Sequence, residues 1–232
     1  MRKIAWCLGV LVAGFVFPLS SAETLEQVLS HMDAAAAHFH AMTARLSYTK
    51  VTVVVNDRTT ESGVIYFEKE KGGKSFKVLL EFTQPEAKTV LFREKKAWIY
   101  RPKIAQKEEY DLGKDLRLEP FLLVGFGGGG HDLLKAYSIT LGKAEPDEAG
   151  LSSAGVVKLD LIPKGAMAEQ VRKVELWLAR DTWQPIQQKF TEPDGDNLTA
   201  RYTNIQESQG WPDSKFQIKT EGPVKTVRPG GN

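Results

Sequence analysis

Cysteine is almost missing from this chain: of 232 residues one is a cysteine, Cys7. Cys7 lies in an apolar N-terminal run, so the remainder has no thiol chemistry and no disulfide, and must hold its fold by packing. Long apolar runs are scarce too. After Ile4 to about Phe17, no stretch approaches the ~20 apolar residues that a membrane-crossing helix needs. Net charge is lacking: 31 Lys and Arg stand against 29 Asp and Glu, which gives no electrostatic footprint for nucleic acid. Catalytic signatures are absent as well. There is no H-E-x-x-H, no G-x-S-x-G and no nucleophile marked by its neighbours. These gaps argue against an enzyme and against a metal or cofactor.

What is present begins at the N-terminus. Arg2 and Lys3, the apolar run, and then Ser20-Ser21-Ala22 have the order of a secretory signal peptide over residues 1–22. Cys7 is too early to be a lipidated cysteine at the cleavage point. Removing Arg2 and Lys3 leaves 29 basic residues against 29 acidic ones. The expectation is an exported, non-lipidated chain whose residues 23–232 form a single domain, with a monomer as the simplest assembly.

Thr24 to Met42 reads as one amphipathic helix. Thr24 and Gln27 make a capping-box pair, and Leu25, Val28, Leu29, Met32, Ala36 and Phe39 fall at helical spacing. His31, His38 and His40 do not make a metal site, because ligand pairs on a helix want a spacing of three or four. The period then changes to two. Strands are predicted over Arg45–Asn56, Gly63–Glu70, Ser75–Phe82, Thr89–Arg93, Ala97–Arg101 and Gln106–Leu112. A second set covers Ser138–Gly142, Val156–Ile162, Val171–Arg180, Ile186–Thr191 and Leu198–Ile205, with Phe216–Lys219 as a further short one. Asp194-Gly195 is a hairpin turn signal. The fold class is mainly β with α: about eleven antiparallel strands, without βαβ alternation, curved against the N-terminal helix.

Several strands are apolar on one side. Phe76, Val78, Leu80 and Phe82 share a face, as do Val157, Leu159 and Leu161, and Val174, Leu176 and Leu178, while Lys77, Glu81, Lys158 and Arg172 point the other way. Such a face is covered by packed core or encloses a ligand cavity, and alternation leaves both open. The candidate cavity wall also includes Leu91, Trp98, Tyr100 and Phe190, with Trp98 and Tyr100 read as facing inward, and Leu29, Met32 and Phe39 of the helix lie opposite.

The segment Phe121 to Leu134, FLLVGFGGGGHDLL, formally matches G-x-G-x-x-G through Gly125, Gly127 and Gly130. A dinucleotide site needs a strand before and a helix after, inside a βαβ unit, and a P-loop needs Lys-Ser or Lys-Thr after the glycines. Neither context exists here. Glycine supplies backbone freedom instead. The segment reads as a lid, Phe121, Leu122, Leu123, Phe126, Leu133 and Leu134, with Gly127, Gly128, Gly129 and Gly130 as its hinge, and a short helix opening at His131-Asp132.

Taken in order, Gly63-Val64-Ile65-Tyr66-Phe67, Phe82-Thr83-Gln84-Pro85, Lys95 to Pro102 (KKAWIYRP), Glu108-Glu109-Tyr110, Pro120-Phe121-Leu122-Leu123, Leu161-Ile162-Pro163-Lys164 and Val174 to Leu178 (VELWL) resemble the LolA-like family of outer-membrane lipoprotein carriers. The resemblance implies an unclosed antiparallel β-barrel with lid helices in its mouth, in the Gram-negative periplasm. It also implies lipoprotein acyl chains or another lipid as cargo, an ATP-driven transporter in the inner membrane as donor and an acceptor at the outer membrane. An alternative use of the same fold is a lipid-responsive regulator or envelope assembly module. The family's lid-holding arginine has no counterpart in Glu68 to Lys74, leaving Arg93 and Arg101 as substitutes.

Overall fold

The computed structural model describes residues 23–70, 75–112, 124–144 and 155–229. The expected signal peptide, and Phe121, Leu122 and Leu123 of the expected lid, lie outside the described residues.

Helix α1 (Leu25–His38) starts where the capping box predicts. The Gln27 backbone N–H donates to Thr24 Oγ1 at 3.3 Å, and the Thr24 N–H donates to Gln27 Oε1 at 2.8 Å. The helix ends earlier than its apolar spacing suggests. Phe39 is extended (φ −72, ψ 127), because the chain from Ala41 is claimed by strand neighbours on both sides. The strands are β1 (Ala41–Thr52), β2 (Asp57–Lys69), β3 (Phe76–Gln84), β4 (Lys88–Arg93), β5 (Lys96–Arg101) and β6 (Gln106–Asp111). Helix α2 (Gly130–Ala136) follows, then β7 (Tyr137–Gly142), β8 (Val156–Pro163), β9 (Lys173–Ala179), β10 (Pro185–Thr191), β11 (Asn197–Ser208) and β12 (Lys225–Val227).

All the strands join one sheet, in the order β12-β6-β5-β4-β3-β2-β1-β11-β10-β9-β8-β7. Every pairing is antiparallel except β12 on β6. The ends of this order, β12 and β7, do not pair with each other, so the barrel is unclosed. Bulges between Thr43 and Arg45 and between Pro185 and Gln187 interrupt the ladders and bend the sheet. At Gly63 a Cβ would overlap the Glu81 carbonyl oxygen, so glycine is required for β2 and β3 to approach.

Two details differ from the sequence reading. The final strand is Lys225–Val227, and Phe216–Lys219 is irregular. Phe216 is instead buried as an anchor of the C-terminal segment against the sheet.

Alternation sorts the side chains onto two faces. The inner face lies under α1 and carries two contiguous apolar clusters. One is built from Met42, Leu46, Ile65, Phe67, Val78, Leu80 and Phe82 with Phe39 and Phe126. The other combines Leu159, Leu161, Val174, Leu176, Leu178 and Phe190 with Val28, Leu29 and Met32 of α1. The outer face has its own cover, because Trp211, Phe216 and Ile218 from the C-terminal segment pack on Tyr66, Leu79, Leu91 and Trp98.

Candidate functional site

The inner face gathers most of the predicted wall. Phe39, Phe76, Val78, Leu80 and Phe82 meet in the first cluster, and Leu29, Met32, Val174, Leu176, Leu178 and Phe190 in the second. Aromatic rings are concentrated at its centre. Phe67 lies 5.4 Å from Phe39, 4.9 Å from Phe76 and 5.7 Å from Phe126 between ring centroids, and Phe126 meets Tyr202 edge-on at 4.9 Å. Phe92 and Ile99 continue this surface toward β6 and, like Tyr48 on β1, are only half-buried.

Three wall residues are misplaced by the sequence reading. Leu91 and Trp98 pair across β4 and β5 on the outer face, beneath Phe216. Tyr100 follows Trp98 by strand alternation. Here β4 and β5 carry apolar residues on both faces, and it is Val90 and Ile99 that point inward.

The lid segment also divides. Phe126 is wedged among Phe67 and Tyr202, and Leu133 packs against the second cluster. Leu134 is exposed, because α2 is a single amphipathic stretch whose opposite side faces solvent. The glycines have separate reasons. Gly125 and Gly127 hold φ of +86 and +61, a region that side chains disfavour. At Gly130 a Cβ would stand 2.6 Å from the Leu29 carbonyl oxygen and 2.7 Å from its Cα, so α2 touches α1 backbone to backbone. At Gly129 it would overlap the Asp33 carboxylate, and at Gly128 it would meet open space.

Three polar arrangements were not visible in the sequence. His131 is the first. Its backbone N–H donates to Asp33 Oδ1 at 3.2 Å, its Nδ1 bonds Asp33 Oδ2, and its Nε2 lies 3.1 Å from Glu26 Oε1. Asp33 thus caps α2 from the neighbouring helix, in place of the side chain that Gly129 lacks. Hydrogen bonds to the Asp33 and Glu26 carboxylates hold the His131 imidazolium above its usual range. The second is Gln188, fully buried on the inner face. Its Nε2 donates to the Val124 carbonyl, and its Oε1 accepts from the Tyr202 hydroxyl at 3.0 Å. Burial raises the Tyr202 phenol well above its ordinary value, so it stays a neutral donor. The third is Glu108, which pairs across the ladder with inward-facing Ile99. It accepts from Arg101, from Gln106 Nε2 at 2.9 Å and from the Tyr110 hydroxyl at 2.8 Å. Of the two substitute arginines, Arg101 therefore lies on the inner face, while Arg93 joins Glu94 and Asp213 outside.

Among the described residues no group of His, Cys, Asp and Glu is arranged to hold a metal ion, and no helix is long and apolar enough to cross a membrane. His31 stacks on Trp183, 4.4 Å apart and 9° from parallel.

The sequence profile of the family described as outer membrane lipoprotein carrier protein LolA matches residues 41–219. No curated protein matches the chain by sequence. Among solved structures, MucB superposes with a TM-score of 0.52 at 16% identity, over 87% of this chain and 65% of that one. The Pseudomonas aeruginosa MucA/MucB complex matches at 0.50 and 18%, over 88% and 64%. A putative outer membrane lipoprotein-sorting protein domain from Vibrio parahaemolyticus matches at 0.48 and 15%, over 83% and 95%. The chain thus spans just under two thirds of MucB, and at these identities the likeness is one of fold.

Proposed function

The chain belongs to the LolA family of outer membrane lipoprotein carrier proteins, and from that premise we propose that it carries the acyl chains of a lipoprotein or related lipid through the periplasm. On this reading the cargo passes from an inner-membrane ATP-driven transporter to an outer-membrane acceptor. The family and the fold support a lipid-binding role. One observation carries the finer reading: the centre of the inner face is filled by Phe126, a residue of a glycine-rich segment, and not by a strand. A strand side chain cannot leave without unfolding the sheet, whereas a plug on a separate segment can be displaced by an acyl chain.

Burying an acyl chain contributes about 0.8 kcal/mol per CH₂, or about 13 kcal/mol gross for roughly sixteen carbons, reduced by the cost of ordering the ligand. Retention is therefore easy and release is the harder task. Phe126 and Leu133, competing for the space the chain would occupy, supply a closed state that favours release. In this scheme the hinge narrows to Gly128, the glycine of the four that meets open space. No step of it calls for a catalytic group.

The test is mass spectrometry of lipid extracted from the purified exported chain, together with uptake of a fluorescent fatty acid. Co-purifying acylated peptide supports lipoprotein carriage, and free phospholipid supports a carrier of another lipid. A chain that takes up no acyl probe contradicts the reading and favours a regulatory or assembly module on the same fold.

A further inference from the structure

The turn between β1 and β2 is built from the wrong residues for a turn. The Asn56 N–H closes it onto the Val53 carbonyl at 3.1 Å, which places Val54 and Val55 at its two central positions. β-branched residues are poor turn formers, and turn positions ordinarily go to Gly, Pro, Asn, Asp or Ser. These valines also lie in water: Val53, Val54 and Val55 are 52%, 85% and 69% exposed. A local rule broken without a packing gain marks a functional site. The tip is held in place, since the Val53 N–H donates to Asp196 Oδ1 at 2.9 Å.

Strand direction places this turn at the same end of the barrel as the β5–β6 turn, which carries Ile104, 57% exposed. Four strand spacings separate the two turns, or about 19 Å along the rim. Two apolar points on one rim suit a flat apolar surface better than a single pocket.

The charges agree. Lys50 and Arg58 flank the valines on opposite faces of the hairpin and form no ion pair among the described residues. Arg58 and Lys50 stand two and three residues behind the Val53–Asn56 closing pair, about 7 and 10 Å, comparable with the depth of a lipid headgroup layer. Behind Arg58 runs an outer-face trough of about 370 Å³ whose lining includes Lys189 and Arg201, with the Glu175 carboxylate 4.0 Å from Lys189 Nζ. The neighbouring acidic turn is engaged locally: Asp196 holds the Val53 N–H, and Asp194 accepts from the Asp196 N–H at 3.1 Å.

We propose that this rim docks on the surface of an anionic phospholipid bilayer. Val53 to Val55 and Ile104 enter the boundary between headgroups and acyl chains, and Lys50 and Arg58 meet lipid phosphates. The inference rests on the lipid-carrier reading for its purpose, since a carrier docked there could collect or deliver cargo at the membrane.

The experiment is flotation of the purified chain with vesicles of phosphatidylethanolamine and phosphatidylglycerol, with fatty-acid uptake measured on the same samples. The wild type floats with the vesicles. The variant Val54→Asp, Val55→Asp is exposed enough to fold, partitions about tenfold less or worse, and keeps its uptake. A Val54→Trp variant shows an emission blue shift on vesicle addition. Equal flotation of wild type and the Asp variant overturns the proposal, as does a wild type that takes up fatty acid and never floats. So does self-association that the Asp substitutions abolish in the absence of vesicles, which would assign the tip to a second copy of the chain. A wild type that floats without taking up fatty acid would strike the carrier reading and leave the docking rim standing.

Discussion

Replacing Phe126 by alanine separates a displaceable plug from ordinary core, because the two roles predict opposite signs in one assay. Phe126 is 1% exposed and is held by Phe67 and Tyr202 at 5.7 and 4.9 Å. Truncating such a ring costs about 3–5 kcal/mol of folding stability, read as a lower denaturation midpoint with unchanged slope. If an acyl chain must expel this ring to enter, the variant has lost the competitor. Burial of one such side chain is worth about 1.5–3 kcal/mol, and each 1.4 kcal/mol is tenfold in affinity. Fatty-acid affinity should therefore rise by up to about 10- to 100-fold while stability falls. The control is Phe216→Ala. That ring is equally buried but lies on the outer face against Leu79 and Leu91, and it should destabilise comparably without tightening binding. The reasoning is refuted if Phe126→Ala loses stability and binds the probe no better than wild type.

The remaining predictions concern the cover and the outer face. Gly128→Ala should leave stability within about 0.5 kcal/mol of wild type and slow fatty-acid entry by stiffening the segment, which stopped-flow fluorescence reads. Gly130→Ala should destabilise by well over 1 kcal/mol, since its Cβ meets the Leu29 backbone and neither helix can shift freely; thermal melts compare the pair. The pH dependence follows from His131, whose folded-state pKa is raised by Asp33 and Glu26. Its contribution is fully present below the unfolded value of about 6.5 and is lost as pH rises through the higher folded value. A melting profile across that window should flatten in His131→Gln. Trp98→Ala should lower stability and leave fatty-acid affinity unchanged, because Trp98 packs beneath the C-terminal segment and not in the inner clusters; loss of binding at full occupancy of the folded state would contradict this placement.

Strand content was legible because the period of two persists through most of the sheet, and the start of α1 because Thr24 and Gln27 form their box locally. The faces of β3 and β9 were legible for the same reason: Lys77, Glu81 and Glu175 alternate with apolar residues. In β4 and β5 the alternation fails. Val90-Leu91-Phe92 and Trp98-Ile99-Tyr100 are apolar on both sides, so local pattern cannot say which side faces the helix. The deciding contact is Phe216, more than a hundred residues later in the chain. The His131–Asp33 bond likewise joins residues 98 apart, and β12 is three residues long and parallel, outside the reach of any hairpin rule. A buried Gln188 facing Leu176 and Ala200 across its two ladders carries no local mark at all. What links these misses is sequence separation: the partner that decides each one lies far away along the chain.

The two covers of the sheet are tied down by different chemistry. On the outer face Lys77 is buried between Glu68 at 2.6 Å and Asp213 at 3.0 Å, over the Phe216 ring at 4.8 Å. Removing Lys77 would leave Glu68 largely buried with the Trp211 N–H as its remaining partner, which is the expensive way to break a contact, whereas Asp213 is itself exposed. The inner cover is joined to α1 through His131, Asp33 and Glu26, all substantially in solvent, where such pairs contribute little. Phe126 and Leu133, with the buried Gln188 bond to the Val124 carbonyl and the Gly130 contact with Leu29, hold that cover closed, and the apolar part of these contacts is of the kind an acyl chain can replace. A carrier needs this asymmetry. If both covers were pinned by buried ion pairs, cargo could enter only by breaking one of them. On the proposed carrier reading, with the outer face locked independently, the inner face would exchange its plug for a ligand while the ladder from β12 to β7 stays paired.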